Sequence, residues 1–306
     1  MNVLDSPTAT PKARPFPLAA PVHDASSFEP RFLPVPEALR PYVNVLMGVE
    51  IGALAPLPLS IAPHDSLMLT VQLGRHGGCS IEAKGEHGDN TCLTGIRHWT
   101  GSFIPAGHCV TLFALLTPLG AVQVLDSQPL SSVPRIRARV AELLDRSRTR
   151  RLESGVALAG SLDAKLRVFA AWIEARASAQ RRLAPPALRA ARAAMRLCAQ
   201  PAAAIDDLAD GVHVSRRQLE RDFGHWIGTS PRHLAQVSRV QAVSRKAHAG
   251  ASLADIAADT GFADQAHMTR VVRQLTGLTP RHFVRSCSTP MATAFRAASG
   301  GGTVYL

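Results

Sequence analysis

Two stretches of the chain carry nearly the same text. The first reads Leu208-Ala-Asp-Gly-Val-His-Val-Ser-Arg-Arg-Gln-Leu-Glu-Arg-Asp-Phe223 and continues to Gly228-Thr-Ser-Pro-Arg-His-Leu234. The second reads Ile256-Ala-Ala-Asp-Thr-Gly-Phe-Ala-Asp-Gln-Ala-His-Met-Thr-Arg-Val-Val272 and continues to Gly277-Leu-Thr-Pro-Arg-His-Phe283. Leu208 and Ile256 stand 48 positions apart, whereas Pro231 and Pro280 stand 49 apart, so the second copy holds one extra residue in its turn. Each copy has the grammar of a helix, a tight turn and a second helix.

The cap residues support that grammar. Ser215-x-x-Gln218 is a capping box at the start of the first exit helix. Ser252-x-x-Asp255 caps the second entry helix, and Asp264 caps the second exit helix, displaced by the inserted residue. Ser230-Pro231 and Thr279-Pro280 each place a hydroxyl cap before a proline at the first helical position. Leu234, Val237, Val240 and Val243 form the apolar stripe of one long helix between the copies, ended by Gly250. Leu219 and Phe223, one turn apart, hold the inner face of the first exit helix, so Arg216 and Arg217 project outward from its start. Two hairpins in a purely structural bundle would also use capped, small-residue packing. Outward arginines on a basic chain favour a helix presented to a major groove.

Composition agrees. The chain has 306 residues, 34 Lys+Arg against 23 Asp+Glu, and a formal charge of +11. This excess suits a polyanionic partner. Aromatics are 5%, which argues against a stacking platform for single strands. No run approaches the ~18 apolar residues of a spanning helix, and the N-terminus lacks an apolar signal core. A cytoplasmic protein without a membrane partner is expected. Five scattered cysteines form no C-x-x-C pair and read as small buried hydrophobes. No nucleophile elbow, P-loop or H-E-x-x-H motif is present, so no catalytic residue is assigned and no enzyme is expected.

Upstream the text differs. Residues 1–27 are rich in Pro, Ala, Ser and Thr and read as a disordered tail. Residues 28–130 hold short apolar runs, Ser66–Leu73 and Val110–Leu116, punctuated by glycines, as in a small all-β barrel or sandwich. Residues 131–185 turn helical. Leu162, Leu166, Phe169 and Ile173 form a stripe that a dimer partner, or the chain's own β region, would cover. Pro185-Pro186 closes this segment, a helical domain follows over 186–287, and the Gly-rich stretch 288–306 reads as a frayed tail. His64, His76, His87, His98 and His108 lack metal-ligand pairing and read as exposed loop histidines, so neither metal nor cofactor is assigned.

Over Ala187 to Ser286, and most clearly over Asp255–Arg270 with Gly277–Arg281, the sequence resembles the AraC/XylS family of bacterial transcription regulators. The resemblance implies seven helices with two helix-turn-helix units on successive major-groove faces of double-stranded promoter DNA. The region 28–130 resembles, more weakly, the cupin-like sensor domains of such regulators. The expected class is therefore α+β: a cupin-like β-barrel, a helical linker that mediates dimerisation, and an all-α domain with two helix-turn-helix units. A small-molecule effector, RNA polymerase and a second copy of the chain are the further partners considered. A cupin-like metal enzyme carrying a DNA-binding domain, and a DNA-binding protein without an effector, are the alternatives. His213 stands where the first turn usually has Gly, a position that demands positive φ.

The candidate DNA contacts follow from placement. Arg217 and Arg221, with Arg216 and Glu220 beside them, lie on the first exit helix, where Arg can bond guanine bidentately. Arg221 could equally meet phosphate or a carboxylate. Gln265, His267 and Arg270 occupy the polar side of the second exit helix. Ser230, Arg232, Thr279 and Arg281 sit at helix starts suited to phosphate.

Overall fold

The apolar runs around Leu69 and Leu112 become the middle strands of a sheet. A computed structural model describes residues 30–51, 59–74, 91–96, 101–103, 109–132, 138–179, 183–288 and 290–298. The stretch 1–27, four of the five singled-out histidines (His76, His87, His98, His108) and Cys79 lie outside the described residues. Eight strands occur among them: β1 (Arg31–Leu33), β2 (Val43–Ile51), β3 (Leu59–Ile61), β4 (Leu67–Gly74), β5 (Thr91–Thr94), β6 (Gly101–Phe103), β7 (Cys109–Leu116) and β8 (Ala138–Arg139). Six form an antiparallel sheet in the order β1-β2-β7-β4-β5-β8, and β3 pairs with β6. The sheet is open among the described residues: its outer strands, β1 and β8, do not pair with each other.

Strand side chains alternate between two apolar faces. Leu112, Ala114 and Leu116, with Leu67, Leu69 and Val71, belong to the main core. Phe113 and Leu115, with Val45, Met47, Val49 and Met68, form a second cluster on the other face. A sheet buried on both faces reads as continuous apolar text rather than strict alternation.

Helices follow: α1 (Pro118–Val124), α2 (Val140–Leu143), α3 (Arg146–Leu158) and α4 (Leu162–Ala177). Ala138-Arg139 pair with β5, so the helical pattern expected from 131 onward is interrupted by a strand. Leu166, Phe169 and Ile173 of α4 are almost wholly buried within the single chain, with α4 packed on β2, β1 and β7. The sheet, rather than a partner, covers the stripe, which removes it as a reason for a dimer.

The C-terminal half comprises α5 (Pro185–Ala199), α6 (Ile205–Gly211), α7 (Arg216–Trp226), α8 (Pro231–His248), α9 (Leu253–Asp259), α10 (Gln265–Thr276), α11 (Pro280–Ser286) and α12 (Pro290–Ala298). Pro185 and Pro186 open α5 instead of merely ending the preceding segment, because a helix's first turn needs no N–H partner. The expected frayed tail also differs: 290–298 is helical, and Phe295 packs edge-on to Phe32 with ring centroids 6.1 Å apart.

One continuous core joins the halves, running from Leu39 to Cys287. The junction is partly polar. The Ser238 hydroxyl of α8 donates to Asp65 Oδ2 (3.4 Å), and Gln241 Nε2 donates to the Pro63 carbonyl. Burial raises the Asp65 carboxyl above the usual aspartate range, opposed by the charge of Arg245. His64, beside it, is fully buried, not an exposed loop histidine. Cys92, Cys109 and Cys287 are buried and Cys198 half-buried, in keeping with small apolar side chains.

Candidate nucleic-acid interface

Two helix-turn-helix units flank α8. In the first, α6 ends at Gly211, His213 takes φ 57°, and Ser215 caps α7 by accepting from the Gln218 N–H at 3.2 Å. In the second, α9 ends at Asp259, Gly261 takes φ 76°, and Asp264 caps α10 by accepting from the His267 N–H at 2.6 Å. Two steps separate the left-handed residue from the cap in unit one and three in unit two, which locates the extra residue between Gly261 and Asp264. The expected caps Ser230, Ser252 and Thr279 all form. The box at Ser215 is only half made: the Gln218 side chain turns away to Asp222.

The inner faces are well packed. Leu208, Leu219 and Phe223 in unit one, and Ile256, Met268 and Val272 in unit two, are at most 1% exposed. Met268 and Val272 therefore close the inner face of α10. The outer face of α7 carries the expected candidates. Arg216, Arg217, Glu220 and Arg221 are all exposed. Arg216 is spent internally, bonding Glu220 at 3.0 Å and Asp206 at 3.4 Å, and the Glu220 hydrogen bond raises its pKa. Arg221 donates to the Gln218 side chain. Arg217 makes no ion pair or hydrogen bond among the described residues.

A network not foreseen from sequence holds α7 from behind. Arg189 of α5 donates from Nε (2.9 Å) and an Nη (2.7 Å) to Oδ2 of Asp222, whose other oxygen accepts from Gln218 Nε2 at 2.7 Å. The chain Arg189–Asp222–Gln218–Arg221 runs from the buried side of α7 to its outer surface. The i, i+4 spacing of Gln218 and Asp222 was the visible signal for part of it. Nothing local points to Arg189.

On α10, Gln265 and Arg270 are exposed, and Arg270 has no partner among the described residues. His267 is half-buried at the start of α10. Its Nδ1 accepts from the Ala263 N–H at 3.2 Å, and its half-buried ring stands edge-on to Phe262, 5.6 Å away. That bond puts the neutral ring's proton on Nε2 and makes His267 a brace for the longer turn. Gln265 and Arg281 line one open cleft of about 630 Å³ with Arg285, Ser252 and Leu253. Arg232 and Arg281 are exposed, and Ser230 and Thr279 use their oxygens as caps while each hydroxyl proton remains available to an anion. Among the described residues no group of three or more His, Cys, Asp or Glu is arranged for a metal, and no helix is long and apolar enough to cross a membrane.

Comparison with known proteins bears on the same residues. A helix-turn-helix domain family matches residues 208–286. No curated protein sequence matches the chain. Among solved structures the chain is similar to ToxT from Vibrio cholerae, with a TM-score of 0.40 and 10% identity over 85% of this chain and 98% of that one. A ToxT structure with bound unsaturated fatty acid gives 0.40 and 9% identity, over 78% and 94% of the two chains. The AraC-like transcriptional activator CuxR gives 0.17 and 9% identity, over 58% and 66%. The matched residues take in both turns and both exit helices, so the C-terminal half carries a helix-turn-helix domain of the matched family.

Proposed function

We propose that the protein is a sequence-specific, cytoplasmic transcriptional regulator whose α7 and α10 enter successive major grooves of promoter DNA. The observation that carries this reading is the doubled unit with exposed arginines, unpaired among the described residues, on both exit helices: Arg217 on α7 and Arg270 on α10. In this reading Arg217, Arg221, Gln265 and Arg270 meet base edges, and Ser230, Arg232, Thr279 and Arg281 meet phosphates. Arg216 and Glu220 neutralise each other and shape the surface instead. The cupin-like N-terminal half acts as the sensor or dimerisation element. Its shared core with the C-terminal half gives an effector a mechanical route to the DNA face. RNA polymerase is the downstream partner.

Selection of bound duplexes from a random pool by the full-length protein tests this. Recovery of a motif with two blocks about one helical turn apart is expected. Recovery of unenriched sequence, or no retained DNA at low salt, would overturn the reading.

A further inference from the structure

Helix α3 carries charge where a helix resists it. Arg146, Arg148, Arg150 and Arg151 lie in its first six residues. Cations at a helix N-terminus oppose the dipole, and Arg146 and Arg150 are like charges one turn apart. The fold does little to offset this. Arg148 reaches Asp126 at 3.5 Å, but Asp126 is already held by Arg176 at 2.6 Å. Both oxygens of the capping Asp145 bond Ser147, its charge also attracts Arg148 and Arg151 at longer range, and Glu153 accepts from the Thr91 hydroxyl. Arg146, Arg150 and Arg151 are exposed, with no ion pair or hydrogen bond among the described residues. Thr149, Leu152 and Val156 form the buried side, so these three arginines occupy the opposite one.

A short run of chain links the arginine helix to the first helix-turn-helix unit. Asp126, which pairs with Arg148, is four residues from Leu130, at most about 14 Å of chain. The turn Leu130–Ser132 packs on α7, and the Leu130 carbonyl rests where a Cβ on Gly228 (φ 75°) would come within 2.8 Å of it. Two residues after Gly228 comes the Ser230-Pro231-Arg232 start of α8.

We infer that the α3 arginine face is a second DNA-contacting surface, engaging phosphates of the duplex that flanks the segment held by the first unit. The inference rests on the reading of α7 and α10 as duplex-binding elements. The residues at 146–151 read Arg-Ser-Arg-Thr-Arg-Arg. They offer no aromatic or aliphatic anchor for a protein partner and no apolar side chain to insert into a lipid surface. They offer guanidinium forks, which match paired phosphate oxygens. Six residues of helix span ~9 Å, a length over which duplex DNA presents about five charges.

The test replaces all three with glutamine, Arg146→Gln/Arg150→Gln/Arg151→Gln, in the full chain. Binding to a mixed-sequence duplex of about 40 base pairs is followed between about 50 and 200 mM salt. The slope of log affinity against log salt is expected to become shallower by about 2–3 units, and the Arg→Lys triple variant to restore it. The glutamine variant should melt no lower than the parent, since repulsion is removed. An unchanged slope, with Arg270→Ala still reducing it, overturns this proposal while leaving the α7/α10 reading intact. A lowered melting temperature assigns the arginines a structural role and overturns it too. A parent protein that binds no duplex at all overturns both readings.

Discussion

The two helix-turn-helix units share a plan and differ in how they are held. In unit one the turn residue is His213 at φ 57°, and α7 is moored to α5 by the Arg189–Asp222 pair. In unit two the turn residue is Gly261 at φ 76°, the turn is one residue longer, and His267 and Phe262 fill it. Thr269 and Thr276 of α10 satisfy their hydroxyls on the helix's own carbonyls. Unit one is therefore fixed by charge pairing and tolerates a strained turn. In unit two an exposed Lys246–Asp259 pair joins α8 to α9, but α10 is held by apolar packing and neither Arg270 nor Arg273 is spent on an ion pair among the described residues.

The largest way to break this contrast is Asp222→Ala. It leaves Arg189 partly buried without its carboxylate and should cost about 2–3 kcal/mol, somewhat less than for a fully buried pair because Arg189 keeps some solvent. Urea denaturation reads it, and a loss below about 0.5 kcal/mol would mean that packing alone holds α7. Gly261→Ala probes unit two. A Cβ there would lie 2.9 Å from the Ala202 Cβ, on a backbone at positive φ, so a loss of about 2 kcal/mol is expected in the same assay. Arg217→Ala should weaken binding to the selected duplex by about 1–3 kcal/mol and relax preference at one base pair; uniform weakening on single-base variants would make it a phosphate contact.

Smaller effects sharpen the comparison. His213→Gly should relieve the left-handed strain and stabilise by about 0.5–1 kcal/mol, net of the glycine's greater unfolded-state entropy. A destabilised variant would show that the His213 side chain does more than occupy the turn. Arg216→Ala should leave thermal stability unchanged, since its pairs with Glu220 and Asp206 are solvent-exposed. A clear drop in melting temperature would extend the charge-pairing account of unit one to its surface.

Local chemistry was legible in the sequence; distant pairing was not. Apart from α6, which starts after Ala204 without a side-chain cap, the helix caps in the two units could be read from a hydroxyl or carboxylate before the first turn, and the inserted turn residue from a change of spacing between the copies. His213 could be assigned its positive φ because its counterpart is Gly261. The Arg189–Asp222 pair spans 33 residues between different helices, and no periodicity encodes it. The α4 stripe correctly marked a buried face, but a stripe does not say what covers it. The expectation of a tail beyond residue 288 followed the glycines at 300–302, although Thr289-Pro290 repeats the hydroxyl–proline signal of Ser230-Pro231. His267 looked like a polar exit-helix residue because helical spacing cannot show that the longer turn folds back onto its ring.

The contact of Pro63 and Asp65 with α8 gives the molecule a lever. These residues stand within four positions of the first residue of β4, a strand paired on both sides along the middle of the sheet. A small slide of β4 along its own axis is delivered end-on to Ser238 and Gln241, near the middle of the 18-residue α8. Helix α8 packs directly on the helices of unit two and meets unit one through α5, so a push on α8 would reach the two units by different contacts. In the function proposed above, a signal arriving by this route would bear first on α10 and only through α5 on α7, changing how the two exit helices face the duplex relative to each other.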